Sequence, residues 1–294
     1  MVQVLSVYLA SRAKELYCAW SMYLTPYTTL TWAYQLHYYL CFRTHRRKKL
    51  FTSADVEKNL ADLLKEISSN HDYHLLEHQT YPNQLRCLLS LRPSHAVAKA
   101  VQILKCNSAR LLPFPVPLWA SGYAARSSGR IRTSTVRAYL EKQATHHGYA
   151  NRVLPPIYKH RAETPLILHS DHASFDLSHH LVFSTKHRKG VFTSTVGAAL
   201  TQYWLRVAEK QKFAIDQISI VPDHLHMIIR IVPKVSIEEV TLSLMNNGQY
   251  FMGKRYSGLL LANGMDQLWN ASAYVGTCGD LTTPLIMKWL SSDE

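Results

Sequence analysis

Two stretches of this 294-residue chain repeat one another: CFRTHRRKKLFTS at residues 41–53 and VFSTKHRKGVFTS at residues 182–194. Seven of the thirteen aligned positions are identical at an offset of 141, where unrelated stretches share about one. YPNQLR at 81–86 matches VPDHLH at 221–226 at an offset of 140, and LWASGY at 118–123 matches LWNASAY at 268–274 at offsets of 150 to 151. The matches keep the same order and a nearly constant spacing, which indicates a tandem duplication.

Each copy predicts the same string of elements. A strand (34–42 or 179–184) ends in the basic turn, and a helix follows whose apolar residues recur at helical spacing. Two short runs then predict a pair of strands (73–78 with 85–91, and 214–221 with 225–232), a second helix, a strand and a last helix. The order β-α-β-β-α-β predicts an α+β fold of two tandem ferredoxin-like domains with antiparallel sheets.

The repeat also sets the expected boundaries. We predict an N-terminal helical arm at 1–31, a first domain at 32–148, a proline-containing linker at 149–174 and a second domain at 175–294.

Composition excludes several classes of protein. With 47% hydrophobic and 18% charged residues, the chain can bury a core and is not disordered as a whole. It has no run of about 18 consecutive apolar residues, which argues against a membrane partner. Five cysteines without a CxxC pair argue against a disulfide framework and favour a reducing compartment. We therefore expect a soluble cytoplasmic protein, associated with the nucleoid.

The net charge of +13 favours a polyanionic partner, nucleic acid before membrane. Residues 1–150 carry 19 Lys and Arg against 8 Asp and Glu, whereas residues 151–294 carry 14 against 12. The excess therefore lies in the first half. The residues predicted to bind nucleic-acid phosphates are those of the two basic turns: Arg43, Arg46, Arg47, Lys48, Lys49, Lys186, Arg188 and Lys189. The alternative is that these turns are solvated charged loops.

Two sets of residues could carry chemistry. His224 and His226 stand at i and i+2 of a predicted strand, so both imidazoles face one side and could hold a divalent metal. Tyr139 and Gln143 stand at i and i+4 of the last helix of the first copy, where the hydroxyl could attack a phosphodiester and the amide oxygen could bind the metal. The alternative is that both sets have only structural roles. In a chain with sixteen histidines an HxH spacing readily occurs by chance, and Tyr139 could simply pack in the core.

Taken together, the HLH strand in its VPDHLH setting, the basic turn, the LW…Y strand and the Tyr-x-x-x-Gln helix resemble a known family. They are similar to the single-tyrosine HUH transposases, which move hairpin-ended insertion sequences as single-stranded DNA, and to their relatives that act on repetitive palindromic elements. The resemblance implies Mg²⁺ or Mn²⁺ held by the two histidines and the glutamine. It also implies a tyrosine that becomes linked to a 5′-phosphate, leaving a 3′-hydroxyl that later rejoins strands.

Neither copy keeps the whole set. The HxH positions of the first copy are Gln84 and Arg86, and the Tyr and Gln positions of the second are Trp289 and Asp293. One full set survives, divided between the copies.

The divided set predicts an intramolecular pseudo-dimer with one composite site and no need for a homodimer. The expected function is cleavage and transfer of single-stranded DNA with hairpin ends. A catalytically inactive hairpin-DNA-binding protein, regulatory or architectural, is the alternative, and an RNA-hairpin binder is a third hypothesis.

Overall fold

The chain forms two mixed units, each with its own β-sheet. A computed structural model describes residues 25–112, 114–129, 132–142 and 156–279. This part of the chain contains eleven strands in two sheets and six helices, so the predicted α+β class is confirmed. No helix in these residues is long and apolar enough to span a bilayer.

The first unit follows the predicted element order, and its sheet order is β3-β4-β2-β5-β7, in which β7 is Ala173–Asp176. Its elements are β2 (His37–Thr44), α1 (Ala54–Asn70), β3 (His74–Tyr81), β4 (Gln84–Ser90), α2 (Val97–Leu111) and β5 (Trp119–Ser128). The helix α3 (Thr133–Lys142) follows β5.

The second unit repeats this order, and its sheet order is β1-β11-β8-β10-β9-β6, in which β1 is Thr31–Gln35 and β6 is Tyr158–Arg161. Its elements are β8 (Ser178–Thr185), α4 (Ser194–Gln211), β9 (Ala214–Val221), β10 (His224–Arg230), α5 (Ile237–Arg255), α6 (Ser257–Ala262) and β11 (Trp269–Cys278). The four repeated strands pair antiparallel in both units.

Local sequence explains where the helices begin. Ser53 and Thr193 each accept a hydrogen bond from the backbone N–H three residues on, at 3.4 and 3.2 Å. Ser236 and Glu239 form a capping box at the start of α5, as the sequence predicts. These caps satisfy backbone donors that have no partner inside the helix.

Two short strands cross between the units. The predicted strand at 34–42 is divided: β1 (Thr31–Gln35) pairs parallel with β11 of the second unit, whereas β2 stays in the first. In the same way β7 (Ala173–Asp176), just before β8, pairs parallel with β5 of the first unit. The predicted linker therefore contains structure, since β6 (Tyr158–Arg161) also pairs with β9. Of the predicted helical arm, residues 1–24 lie outside the described residues, and residues 25–30 are not helical.

Residues at equivalent positions exchange contacts across the junction of the units. The Tyr38 hydroxyl lies 2.8 Å from Nε2 of its counterpart His179, and both side chains are buried. The Ala98 N–H donates to the carbonyl of Pro233, while the N–H of Glu238 donates to the carbonyl of Pro93. One hydrophobic cluster includes core residues of both units. Burial of this shared surface holds the halves together.

Candidate functional site

The two predicted metal-binding histidines lie on β10, between β8 and β9. His224 and His226 point to one face of the sheet, while Leu225 and Met227 point into the core on the other. The imidazole rings are 5.2 Å apart between centroids, and the residues are only 7% and 5% exposed. The strand thus brings the two rings together as predicted.

Each ring is oriented through its Nδ1 atom. His224 Nδ1 lies 2.7 Å from Asp223 Oδ1, and His226 Nδ1 lies 3.0 Å from His180 Nε2. Desolvation lowers the pKa of His180 to about 4, so this ring is neutral at physiological pH. With Nδ1 engaged in both rings, Nε2 is the atom that each would offer to a metal ion.

The helix that carries Tyr139 belongs to the first half of the chain but packs on the second unit. Arg137 Nη2 lies 3.1 Å from Asp216 Oδ2 on β9. One turn along, the Leu140 carbonyl accepts a hydrogen bond of 3.1 Å from the Ser219 hydroxyl. Val136 and Leu140 are buried against Ile228 and Cys278, which belong to β10 and β11. An ion pair, a hydrogen bond and apolar contacts therefore fix α3 across the junction.

This docking places Tyr139 beside the histidine pair. Its ring centroid lies 5.7 Å from that of His226, with an angle of 67° between the rings. Tyr139 is half-buried at the edge of the small apolar cluster around Val136 and Leu140. Burial raises the pKa of its hydroxyl, so the phenol keeps its proton at neutral pH. Tyr139 therefore packs against a core and also faces His226.

The third predicted metal ligand, Gln143, lies outside the described residues. Within them, no group of three or more His, Cys, Asp or Glu side chains could hold a metal ion. The donor set that the structure does show, two imidazoles on one face with their Nδ1 atoms engaged, fits a divalent ion that takes further oxygen ligands.

The equivalent face of the first unit has different chemistry. Arg86 stands where the second unit has His226, and its guanidinium lies 4.5 Å from the centroid of the Tyr81 ring. Gln84 stands in place of His224 and accepts a weak hydrogen bond, at 3.8 Å, from the Cys41 thiol. A guanidinium carries no lone pair for a metal. Trp289 and Asp293, which stand at the Tyr and Gln positions of the second copy, lie outside the described residues.

The two basic turns have the same backbone conformation and differ in what their side chains contact. Arg43, Arg46, Arg47, Lys48 and Lys49 are all exposed in the first turn, and no ion pair within the described residues involves them.

In the second turn the cations contact the protein itself. Lys186 pairs with Asp266 at 2.7 Å, Arg188 pairs with Asp223 at 2.9 Å, and the Lys189 ammonium donates to the Asn263 carbonyl.

Sequence reasoning missed two residues of the site, His180 and Asp223. Period-two alternation along β8 places His180 on the outer face, and the pairing of β8 with β10 sets it diagonally to His226. Asp223 directly precedes His224, so its carboxylate was within reach of the ring from the sequence alone.

Comparison with known proteins adds the family. The sequence profile described as "Transposase IS200 like" matches the chain twice, at residues 32–143 and 173–292. The ISDra2 transposase TnpA of Deinococcus radiodurans is 25% identical over 122 residues, which cover 38% of this chain and 86% of that protein. The transposase for insertion sequence element IS200 of Salmonella typhimurium is 23% identical over 114 residues, covering 39% and 75%.

Two solved structures align with single stretches of the chain. One, from Deinococcus radiodurans and described as a transposase, is 24% identical and has a TM-score of 0.31, covering 38% of this chain and 92% of that one. The other is a REP-associated tyrosine transposase bound to a REP hairpin, 12% identical with a TM-score of 0.28, covering 40% and 70%. The family profile covers most of the sequence in two consecutive matches, and the chain therefore belongs to the IS200-like transposase family.

Proposed function

We propose that this chain cleaves and rejoins single-stranded DNA with hairpin ends at one active site shared by its two halves. The observation that carries the proposal is the position of the Tyr139 ring, 5.7 Å from the His226 ring although the two come from different halves. In this proposal the units are two ferredoxin-like domains that form a pseudo-dimer within one chain. The shared strand order and the exchanged contacts support that arrangement.

Tyr139 is the proposed nucleophile. Its Oη would attack the scissile phosphorus, forming an Oη–P bond and breaking the bond to the 3′-oxygen. The protein is then linked to the 5′-phosphate, and the proton lost by the phenol is balanced by the proton that the departing 3′-oxygen gains. The same 3′-hydroxyl, or another, can reverse the step and rejoin strands.

His224 and His226, with Gln143 as a third ligand, are the residues that would hold Mg²⁺ or Mn²⁺. The bound ion would supply Lewis-acid polarisation of the scissile phosphate. Asp223 and His180 set the orientation of the two rings. The docked helix α3 holds the tyrosine at the histidine face through Arg137 and the Leu140 carbonyl. Such positioning supplies much of the rate in reactions that need an in-line attack.

The DNA backbone would be bound chiefly by the first basic turn. Its five cations are exposed and lie in the half that carries most of the excess positive charge. Phosphate contacts of this kind dominate the affinity for DNA and make it depend on salt.

The test is formation of a covalent protein–DNA adduct with hairpin-bearing single-stranded DNA and Mn²⁺. We expect Tyr139→Phe and His226→Ala each to abolish the adduct, while both variants keep their affinity for the DNA. Tyr250→Phe, which changes an exposed tyrosine on α5, is the matched control and should leave the adduct unchanged.

Two other outcomes would replace the proposal. If the wild-type protein binds the hairpin and forms no adduct under any divalent metal, the chain is the inactive hairpin-binding protein. If the adduct survives Tyr139→Phe, the nucleophile lies elsewhere and the shared site is wrong. Tighter binding of the matched RNA hairpin would instead favour the RNA-binding hypothesis.

A further inference from the structure

The two basic turns are built on the same hydrogen bonds. The Thr44 hydroxyl contacts the carbonyls of Lys48 and Asn83 at 2.7 and 3.1 Å. The Thr185 hydroxyl contacts those of Lys189 and Asp223 at 2.8 and 2.9 Å. Each turn also has two consecutive residues with positive φ between 53° and 57°: Arg46 and Arg47, and His187 and Arg188. Arg47 and Arg188 therefore occupy equivalent places, and only the side chains around them differ.

The decisive difference is the residue that precedes the HxH positions. In the second unit it is Asp223, whose Oδ2 lies 2.9 Å from Arg188 Nε and whose Oδ1 lies 2.7 Å from His224 Nδ1. In the first unit it is Asn83, a neutral amide, and no ion pair within the described residues involves Arg47. One carboxylate thus joins the second turn to the first histidine of the proposed metal pair.

We infer that the equivalent turns have different functions. The first binds nucleic-acid phosphates, and the second holds the metal-binding face in place through the chain of contacts Arg188–Asp223–His224, which we call the clamp. Asp223 is a positioning residue for His224, and Arg188 is a positioning residue for Asp223. This assignment removes Arg188 from the set of DNA contacts expected from the sequence. The inference rests on the proposed metal site for its purpose, but its geometry involves only residues of the protein.

The chemistry of the clamp follows from its three groups. A carboxylate that accepts a hydrogen bond from Nδ1 keeps the proton on that nitrogen, so the lone pair of the neutral ring lies on Nε2. Arg188 fixes the plane of the carboxylate through a charge-assisted contact of 2.9 Å. The Asp223 side chain is 26% exposed and that of Arg188 is 43% exposed, so the pair contributes orientation more than stability.

Lys186 and Lys189 reinforce the same turn. Lys186 bridges to Asp266 with both carboxylate oxygens within 2.9 Å, and Lys189 reaches the Asn263 carbonyl. Both partners lie in the connection between α6 and β11, so this connection holds the turn in addition to Asp223. A cation engaged in this way has to leave its protein partner before it can bind an incoming phosphate.

The experiment compares Arg47→Gln with Arg188→Gln in the full chain, since the two variants remove the same charge from equivalent positions. The first readout is binding of a fluorescent DNA hairpin in EDTA at several salt concentrations. We expect Arg47→Gln to lower the log–log salt slope by about one unit and Arg188→Gln to leave it unchanged. The second readout is Mn²⁺ affinity without DNA, which we expect Arg188→Gln to lower severalfold and Arg47→Gln to leave unchanged.

Asp223→Asn tests the carboxylate itself. We expect Mn²⁺ affinity to fall by about 10- to 100-fold, the range typical of a lost outer-shell partner. In EDTA, the ¹H–¹⁵N spectrum of the His224 ring should change from the Nδ1–H tautomer to a mixture of tautomers. The reciprocal change, Asn83→Asp, should capture Arg47 and lower the salt slope by about one unit.

The outcomes separate this inference from the proposed function. Equal loss of salt slope in Arg47→Gln and Arg188→Gln would overturn the division of work between the turns. An unchanged His224 tautomer in Asp223→Asn would overturn the clamp whether or not a metal binds. Absence of Mn²⁺ binding by the wild-type protein would instead refute the proposed metal site, and the tautomer and salt readouts would still decide the inference.

Discussion

The contact most worth testing is the ion pair that fixes the tyrosine helix to the opposite unit. Asp216 is 4% exposed on β9 and faces two guanidinium groups. Arg230 Nε lies 2.9 Å from Oδ2 and Arg230 Nη2 lies 3.0 Å from Oδ1, while Arg137 Nη2 lies 3.1 Å from Oδ2. Only Arg137 belongs to α3. The two arginines can therefore be separated into one that supports the second unit and one that holds the helix.

The magnitudes follow from this arrangement. A hydrogen bond to a charged group contributes about 1.5–3 kcal/mol. We take about 1 kcal/mol for Arg137→Gln, because the Arg137 side chain is 28% exposed and Asp216 keeps Arg230. Asp216→Asn leaves two guanidinium groups facing a neutral amide, and loss of one partner of a buried pair costs about 3 kcal/mol or more.

Hydrogen–deuterium exchange and thermal unfolding distinguish these effects. Arg137→Gln should speed exchange about fivefold in α3 alone, since 1 kcal/mol is about a factor of five. Asp216→Asn should speed exchange throughout the second unit and lower Tm by several degrees. Arg110→Gln, an exposed arginine on α2, is the control and should do neither. Unchanged exchange in α3 of Arg137→Gln would refute the reasoning.

Three further predictions concern packing, pH and DNA. Gly248→Ala should destabilise the fold by roughly 1–3 kcal/mol, because its methyl group would lie 2.9 Å from the Trp204 ring, whereas Gly258→Ala meets no atom within 4 Å and should be neutral or stabilising in urea titrations. Burial lowers the pKa of His179 to about 3, so the free energy of unfolding should be full above about pH 6.5 and fall as the pH is lowered towards 3. His179→Gln should flatten that decline, and an unchanged decline would exclude this ring as its source. Hairpin binding should weaken, with a shallower salt slope in titrations at several salt concentrations, in the combined variant Arg46→Gln, Arg47→Gln and Lys48→Gln.

Much of the fold could be predicted because both halves of the sequence carry the same pattern of strands and helices. The strand–turn–helix order, both strand pairs and the capping box at Ser236 depend on local patterns, and each lies where the sequence placed it. The position of His224 and His226 on one face of the sheet follows from the two-residue period of a strand. The duplication, by showing which residues each copy lacks, predicted that Tyr139 lies beside the second unit's histidines, and the structure brings the rings together.

The remaining features depend on pairings between distant residues. Alternation along a strand gives its two faces but not its neighbour in a sheet, so the crossing of β1 to β11 and of β7 to β5 could not be predicted. The break at Leu36, which separates β1 from β2, likewise follows from where each strand pairs. His180 was passed over because a chain with sixteen histidines gives no local sign of which ring meets another.

The crossing strands also bear on how such a chain could evolve. Each half borrows a strand at the edge of its sheet from the segment that leads into the other half. Separating the halves would leave β5 and β11 each with an unpaired edge, which invites aggregation. Within one chain β1 and β7 are covalently linked to the sheets that they complete, so this pairing no longer requires the association of two separate molecules. Fusion of this kind therefore allows the two copies to diverge, as the equivalent positions Arg86 and His226 have done. It also makes a return to separate copies costly.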